Sequence, residues 1–328
     1  MDCRLAYRVR SNRRSAFTLV ELLVVVSVIA LLISILLPSL RNAREQAKEV
    51  VCASHLAGLG KAFYTYAGSN EDYLCSGAFD PDVANGRDGP VDKIGWIADM
   101  VNGEYAYPNE MLCPTNRSKV NQKLGAGPTA GGPSGFYTTE EADDLIRRGY
   151  NSNYTQSWYM ARMQPIWPPP NGDINWKRVS TTMGPLRITS MRKVPAANVP
   201  LLGDGAPKID DQYRGEIFSE RKTVRTMTDG PYGGGPFGVQ SYTDFGPTHG
   251  FGKTYRFDDG GSSNRIRAEI LFADTHVGKF TDKIRDGKFK LTVTSANPLE
   301  HVQDDLDNQV FDGVIGLGRR SKEEWDLK

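Results

Sequence analysis

The sequence predicts an α+β fold: one long N-terminal helix, then a domain of antiparallel strands joined by long loops. Three observations carry this. A single apolar run fills residues 17–37. A helical pattern continues from it to about residue 67. Beyond that point, short apolar stretches alternate with turn formers, in a chain that holds 34 glycines and 19 prolines. No alternating strand–helix units occur, which argues against a doubly wound parallel sheet.

The apolar run comes first. Arg4, Arg8, Arg10, Arg13 and Arg14 face one acid, Asp2, in the first 16 residues; then from Phe17 to Leu37 Glu21 is the only charged residue. A helix of that length spans roughly 31 Å, about one bilayer core. The arginines are expected to stay cytoplasmic and the chain after Leu37 to lie outside. An ordinary secretory signal has a shorter apolar core and a small-x-small cleavage site, and neither is present. Asn12-Arg13-Arg14-Ser15-Ala16-Phe17 has the look of a twin-arginine signal, but the embedded acid and the missing downstream cleavage site argue against that.

Glu21 needs a reason. An ionised carboxylate inside a bilayer costs on the order of a few kcal/mol unless paired. Snorkelling to the headgroups is the simple explanation. Cleavage between Ala16 and Phe17 offers another. It creates an α-amino group on Phe17, and the amine of one copy can neutralise Glu21 of the next.

The helix continues past Pro38, where a kink is expected. Leu40, Ala43, Ala47, Val50 and Val51 form one apolar stripe, and Leu56, Leu59, Phe63 and Tyr66 form a second on a different face. Gly58 and Gly60 are expected to loosen the helix between them. Turn formers at Ala67-Gly68-Ser69-Asn70 end it. The domain map is therefore 1–16 leader, 17–37 transmembrane helix, 38–67 amphipathic extension and 68–328 globular β-rich domain.

In that domain, Thr138 and Glu141 form a capping box for a short helix over 138–148, with Gly149 as its stop. Strands are expected at Leu186–Ile188, Val199–Leu202, Ala268–Ala273, His276–Phe280 and Lys288–Thr294. Segments 125–135 and 230–250 are expected to be glycine- and proline-rich connections.

Charge and motifs exclude several functions. The net charge of +1 gives no polyanion signal, so nucleic acid is not an expected partner. No His-Glu-x-x-His, Gly-x-Ser-x-Gly or Walker-type loop is present, and no enzyme is expected. His249, Asp274 and His276 could converge on a metal. A hydrogen-bonded turn around Asp274 is the favoured alternative, and no resident metal or other cofactor is expected. Asp304, Asp305 and Asp307, with Asn308, offer calcium-type oxygens but lack EF-hand spacing, so a solvated acidic turn is favoured there. The aromatic stretch from Trp158 to Trp176 reads as packing rather than a sugar platform. Cys52, Cys75 and Cys113 allow one disulfide outside the cytoplasm: Cys52–Cys113 slightly preferred, Cys75–Cys113 next, and three free buried thiols equally admissible.

Two resemblances join these readings. Arg13-Arg14-Ser15-Ala16 followed by Phe17-Thr18-Leu19-Val20-Glu21 resembles the class III signal of type IV pilins and type II secretion pseudopilins. Pro38 falls where that family often has proline, and Ala16 stands where it usually has glycine. The resemblance implies a pilin-like fold with the long helix packed on the sheet domain. It implies cleavage after Ala16 and N-methylation of Phe17 by a prepilin peptidase, and assembly with other pilin or pseudopilin subunits through Phe17, Glu21 and the apolar helix. The site would be a bacterial inner membrane, with lipid around the helix and the domain outside. A non-polymerising anchored binding protein for a glycan or envelope partner is the alternative.

The second resemblance covers the body. Cys52-Ala53-Ser54-His55-Leu56, Leu112-Cys113-Pro114, Leu201-Leu202-Gly203-Asp204 and Ile270 to Val277 are similar to a pseudopilin class best known from planctomycetes. Its signature is His-x9-Asp-Gly. Here Asp274 stands for the Asp, Thr275 replaces the Gly, and His249 is the equivalent His behind a longer insert. A literal match from His276 to Asp286-Gly287 has the wrong surroundings.

Overall fold

The computed structural model describes residues 18–78, 89–124, 137–173, 175–176, 178–212, 215–218, 222–232, 239–250, 266–283, 289, 291–293, 301–303, 306 and 309–316. Two units divide the chain, Met1–Arg44 and Glu45–Lys328. Helix α1, Leu19–Ala67, contributes to both and includes Pro38.

In the first unit, the side chains from Leu19 to Leu37 are exposed, which suits an apolar helix long enough to cross a membrane. Its internal polar groups are satisfied locally. Ser27 Oγ donates to the Val24 carbonyl at 2.8 Å and Ser34 Oγ to the Leu31 carbonyl at 2.7 Å. In hydrocarbon no water is available to do this, so self-satisfied hydroxyls are what the environment demands.

The second unit is built on a four-stranded antiparallel sheet. Its strands are β1 (Tyr154–Gln156), β2 (Pro200–Asp204), β3 (Arg267–Phe272) and β4 (Val277–Thr281), hydrogen-bonded in that order. Tyr154 pairs with Asp204, Gly203 with Ile270, and Ile270 with Gly278. The chain is α+β and pilin-like: a long apolar N-terminal helix and an antiparallel sheet domain with loops.

The C-terminal part of α1 packs on this domain through one face. Glu49, Cys52, Leu56, Leu59, Gly60, Phe63 and Ala67 are buried at helical spacing. The second expected stripe is therefore the docking face, with Tyr66 half-buried at its edge, while Leu40, Val50 and Val51 of the first stripe are exposed. The face begins with an acid, which hydropathy would never select. Glu49 is buried because Arg267 Nη2 lies 2.8 Å from Oε2 and Lys279 Nζ lies 3.0 Å from Oε1. These cations stand on β3 and β4, so the ion pairs fix the helix to both strands. A buried carboxylate without them would be strongly unfavourable.

Gly60 does not loosen the helix, which runs unbroken to Ala67. A Cβ on Gly60 would stand 3.0 Å from Leu271 Cδ1 and 3.3 Å from Thr275 Cβ, so the missing side chain admits the β3–β4 turn to the helix. Tyr64 seals the same contact by donating to the Ala273 carbonyl at 2.5 Å.

Other elements follow local chemistry. Helix α2 (Trp96–Asn102) buries Trp96, Ile97 and Met100, and Trp96 meets Phe63 edge-on with ring centroids 5.9 Å apart. Helix α3 (Thr139–Arg147) starts at the expected capping box, with Glu141 N donating to Thr138 Oγ1 and Thr138 N to Glu141 Oε2. Helix α4 (Trp158–Arg162) is short and wholly buried, capped by Ser157. Trp158 and Trp176 lie in the core, with Trp158 Nε1 donating to the Trp176 carbonyl at 2.9 Å, so these aromatics are packing.

Strands at 200–204, 267–272, 277–281 and 291–293 stand close to their expected positions. Leu186–Ile188 is not a strand: a single antiparallel bridge joins Tyr73 and Arg187, and Ile188–Met191 turns into a 3-10 helix. The 230–250 connection contains an unexpected hairpin, Gly230–Tyr232 against Val239–Ser241. Parallel pairing among the described residues joins Val120–Asn121 to Thr223–Val224, at the edge of a small three-stranded sheet, and Gln156 to Met227 in an isolated bridge.

Candidate functional site

Two places gather the residues that the sequence singles out. The first is the start of α1. Thr18 N donates to Glu21 Oε2 at 2.9 Å, Thr18 Oγ1 to the same oxygen at 2.7 Å, and Glu21 N to Thr18 Oγ1 at 3.2 Å. This is a reciprocal capping box. Glu21 therefore closes the first turn of its own helix, a role the sequence reading did not assign to it, although Thr-x-x-Glu is a legible signal. Ala16 and Phe17 lie outside the described residues, as do Asp304, Asp305, Asp307 and Asn308.

The second place is a buried cluster in the domain. Cys52 Sγ, Cys113 Sγ, a carboxylate oxygen of Asp204 and a ring nitrogen of His249 all lie within 4.8 Å of one another, and all four residues are buried. Cys52 Sγ is 3.5 Å from Asp204 Oδ1, Cys113 Sγ is 3.5 Å from His249 Nε2, and His249 Nε2 is 3.2 Å from Asp204 Oδ2.

Four separate segments deliver these atoms. Cys52 stands on the docking face of α1. Asp204 ends β2, where Glu269 N also donates to its Oδ2 at 2.9 Å. His249 is locked by a two-way backbone bridge with Arg267, at 2.9 and 2.8 Å. Cys113 sits on a loop held by the buried Asn153. The Asn153 amide accepts from Cys113 N at 2.8 Å and donates to the carbonyls of Cys113 and Ser118 at 3.1 and 3.2 Å. Each of the Cys-Ala-Ser-His-Leu, Leu-Cys-Pro and Leu-Leu-Gly-Asp segments thus contributes one side chain.

Burial and mutual hydrogen bonding shift these groups in opposite directions. Burial pushes the Cys113 thiol up, but hydrogen bonding to Cys52 and to His249 outweighs it and brings the thiol down to about 7. Burial alone would lower His249; hydrogen bonds to Asp204 and Cys113 instead raise it to about 11. Burial drives Cys52 strongly upward and Glu269 up to about 7. The set is not a Cys–His–Asp triad. Such a triad uses both ring nitrogens, whereas here Cys113 and Asp204 both meet Nε2, and Nδ1 has no partner among the described residues.

The three described cysteines are unbonded in the structure. Cys52 and Cys113 are neighbours. Cys75 is apart from them, against the Gly77 and Met160 carbonyls, so a Cys75–Cys113 bridge does not fit this arrangement. His249 does not join Asp274 and His276. Those two form the exposed β3–β4 turn, where Asp274 Oδ1 accepts from His276 N at 3.1 Å and meets His276 Nδ1 at 2.5 Å. The His276 ring stacks on Phe272 at 4.5 Å.

Thr275 occupies that turn with φ of 72°, a left-handed conformation that β-branched residues strongly disfavour. Thr275→Gly is expected to stabilise the protein by about 1 kcal/mol, read as a higher urea midpoint of the full-length chain in detergent. An unchanged or lower midpoint counts against a strained turn.

Comparison with known proteins bears on the first place directly. The family model for the prokaryotic N-terminal methylation motif matches residues 11–37. The type II secretion system core protein G of Aeromonas hydrophila is 26% identical over 124 residues, covering 34% of this chain and 82% of that protein. The chain is similar to a pseudopilin and carries the prepilin-type methylation motif at its N-terminus. With the apolar stretch 19–37 of α1, long and apolar enough to cross a membrane, this makes the protein membrane-anchored. No solved structure matches it.

Proposed function

We propose that this pseudopilin-like protein is a structural subunit of a type II secretion or type IV pilus-like assembly. A prepilin peptidase cuts between Ala16 and Phe17 and methylates the new amino terminus. The arginine-rich leader faces the cytoplasm, and the domain after Leu37 lies outside the inner membrane. The mature chains then pack through their apolar helices among the lipids. Pairing of the Phe17 amine of one copy with Glu21 of the next, or of another pseudopilin, sets the stagger between helices. The protein acts as a peptidase substrate and a building block, with no catalysis of its own.

One observation carries the reading. The methylation motif over residues 11–37 runs directly into a helix whose first turn is closed by Thr18 and Glu21. That geometry holds the Glu21 carboxylate within one turn of the terminus that cleavage creates, where a neighbour's cation can reach it.

Intact mass spectrometry of the protein from its native membrane tests the processing step. The expected mass lacks residues 1–16 and carries one extra methyl group. Recovery of the full-length, unmethylated polypeptide overturns the subunit reading. Processing without any crosslink between copies near residues 17–40 also overturns polymerisation, and leaves an anchored binding protein instead.

A further inference from the structure

We propose that Cys52, Cys113, Asp204 and His249 form a structural zinc site that ties α1 to the sheet domain. The inference goes beyond the subunit reading and stands independently of it.

The donor set comes first. Two sulfurs, one imidazole and one carboxylate make a tetrahedral set that suits a borderline-soft divalent ion, and excludes calcium, which takes six to eight oxygens. All four side chains are buried, which leaves no open position for substrate and marks a closed, structural site.

The spacing agrees with one ion at the centre. Tetrahedral angles with ordinary zinc–ligand bond lengths place sulfur and nitrogen about 3.5 Å apart, sulfur and oxygen about 3.5 Å apart, and nitrogen and oxygen about 3.3 Å apart. The nitrogen–sulfur and nitrogen–oxygen distances are 3.5 and 3.2 Å, the latter to Asp204 Oδ2; Cys52 Sγ stands 3.5 Å from the other oxygen of that carboxylate, Oδ1, and one ligand atom from each of the four residues lies within 4.8 Å of the rest. Nε2 faces the Cys113 sulfur and the Asp204 oxygen at once. Whatever its protonation state, the ring carries at most one proton there, whereas a metal satisfies every inward-facing lone pair.

Charge and support also fit. Two thiolates and a carboxylate carry three negative charges against two on the ion. Lys119 brings a positive charge next to them: its Nζ donates to the Cys113 carbonyl at 2.8 Å. Asn153 orients the Cys113 loop, and Glu269 N orients Asp204. Such outer contacts are what hold ligands in register. Binding displaces the proton of each protonated thiol and any proton on His249 Nε2 into solvent, and no oxidant or reductant is involved.

The test is metal analysis of the full-length protein, purified in detergent from cells grown in zinc-sufficient medium. About one zinc per chain is expected. Native chelation should remove it and open Cys52 and Cys113 to alkylation. Cobalt reconstitution should give the visible absorption of a tetrahedral thiolate site. Cys113→Ser and His249→Gln should lose most of the zinc, and Cys75→Ser should keep it. The wild-type measurements decide the matter even where a ligand variant misfolds. Protein with less than about a tenth of a zinc per chain, or a Cys52–Cys113 disulfide peptide recovered under non-reducing conditions, overturns the proposal.

Discussion

Glu21→Gln in the full-length chain is expected to leave cleavage and methylation intact and to reduce crosslinks between copies near residues 17–40 to background. The substitution separates the capping role that Glu21 has in the structure from the pairing role proposed for it. Glu21 closes a capping box with Thr18, and glutamine serves at that position as well as glutamate does. Only the negative charge is lost. If helix capping is what assembly needs, Gln keeps the crosslinks and Ala loses them. If charge pairing with a neighbour's amine is what assembly needs, Gln and Ala lose them alike. The expected loss is large because an acid–amine pair in a low-dielectric environment replaces two uncompensated charges, a difference of several kcal/mol per contact. Each subunit in a fibre repeats that contact, so the defect multiplies along the assembly. Crosslinking of Glu21→Gln at the wild-type level removes the pairing mechanism.

Phe63→Ala is expected to destabilise the domain by about 3–5 kcal/mol. Phe63 is fully buried on the docking face of α1, and its ring meets Trp96 of α2 nearly perpendicularly at 5.9 Å. Truncation removes the transfer free energy of the ring, leaves a cavity between two helices, and loses the edge-to-face contact. Total stabilities of domains are about 5–15 kcal/mol, so the loss takes a large fraction of what holds α1 to the sheet. Urea unfolding of the full-length protein in detergent, followed by tryptophan fluorescence, should show a strongly lowered midpoint with an unchanged slope. Val50→Ala is the control. Val50 lies on the exposed stripe at 68% accessibility, and its change should stay within about 0.5 kcal/mol. A Val50→Ala effect as large as that of Phe63→Ala would mean that the other face of the helix is the docked one.

Much of the fold was legible because its signals are local. The Thr138–Glu141 capping box, the end of α1 at Ala67 and the alternation in 267–272 and 277–281 each lie within a few neighbouring residues. Leu186–Ile188 failed because apolar character alone does not supply a pairing partner: the segment finds one bridge at Tyr73 and then turns. Helix α4 escaped notice because five buried residues carry no amphipathic period. At the cluster, Cys52 and Cys113 were singled out for each other, as the slightly preferred disulfide pair, and stand together as free thiols, whereas His249 was singled out for Asp274 and His276. Asp204 was seen only as part of a motif, with no role.

The sequence by itself determined the N-terminal signal: the arginines, the apolar span, Glu21 and the turn that Thr18 closes with it. These are contiguous, and hydrophobic transfer and helix capping act between near neighbours. Only the tertiary structure decided which stripe of α1 is buried and which side chains meet Cys52. Glu49 enters the interior because Arg267 and Lys279 wait there, and hydropathy would have sent Val50 instead. Cys52 meets Tyr154 and Asp204 across separations of 102 and 152 residues, and Cys113 meets His249 across 136. Contacts so far apart in the chain depend on how sheet and helix pack, because the electrostatic terms that reward them appear only once both partners are buried side by side.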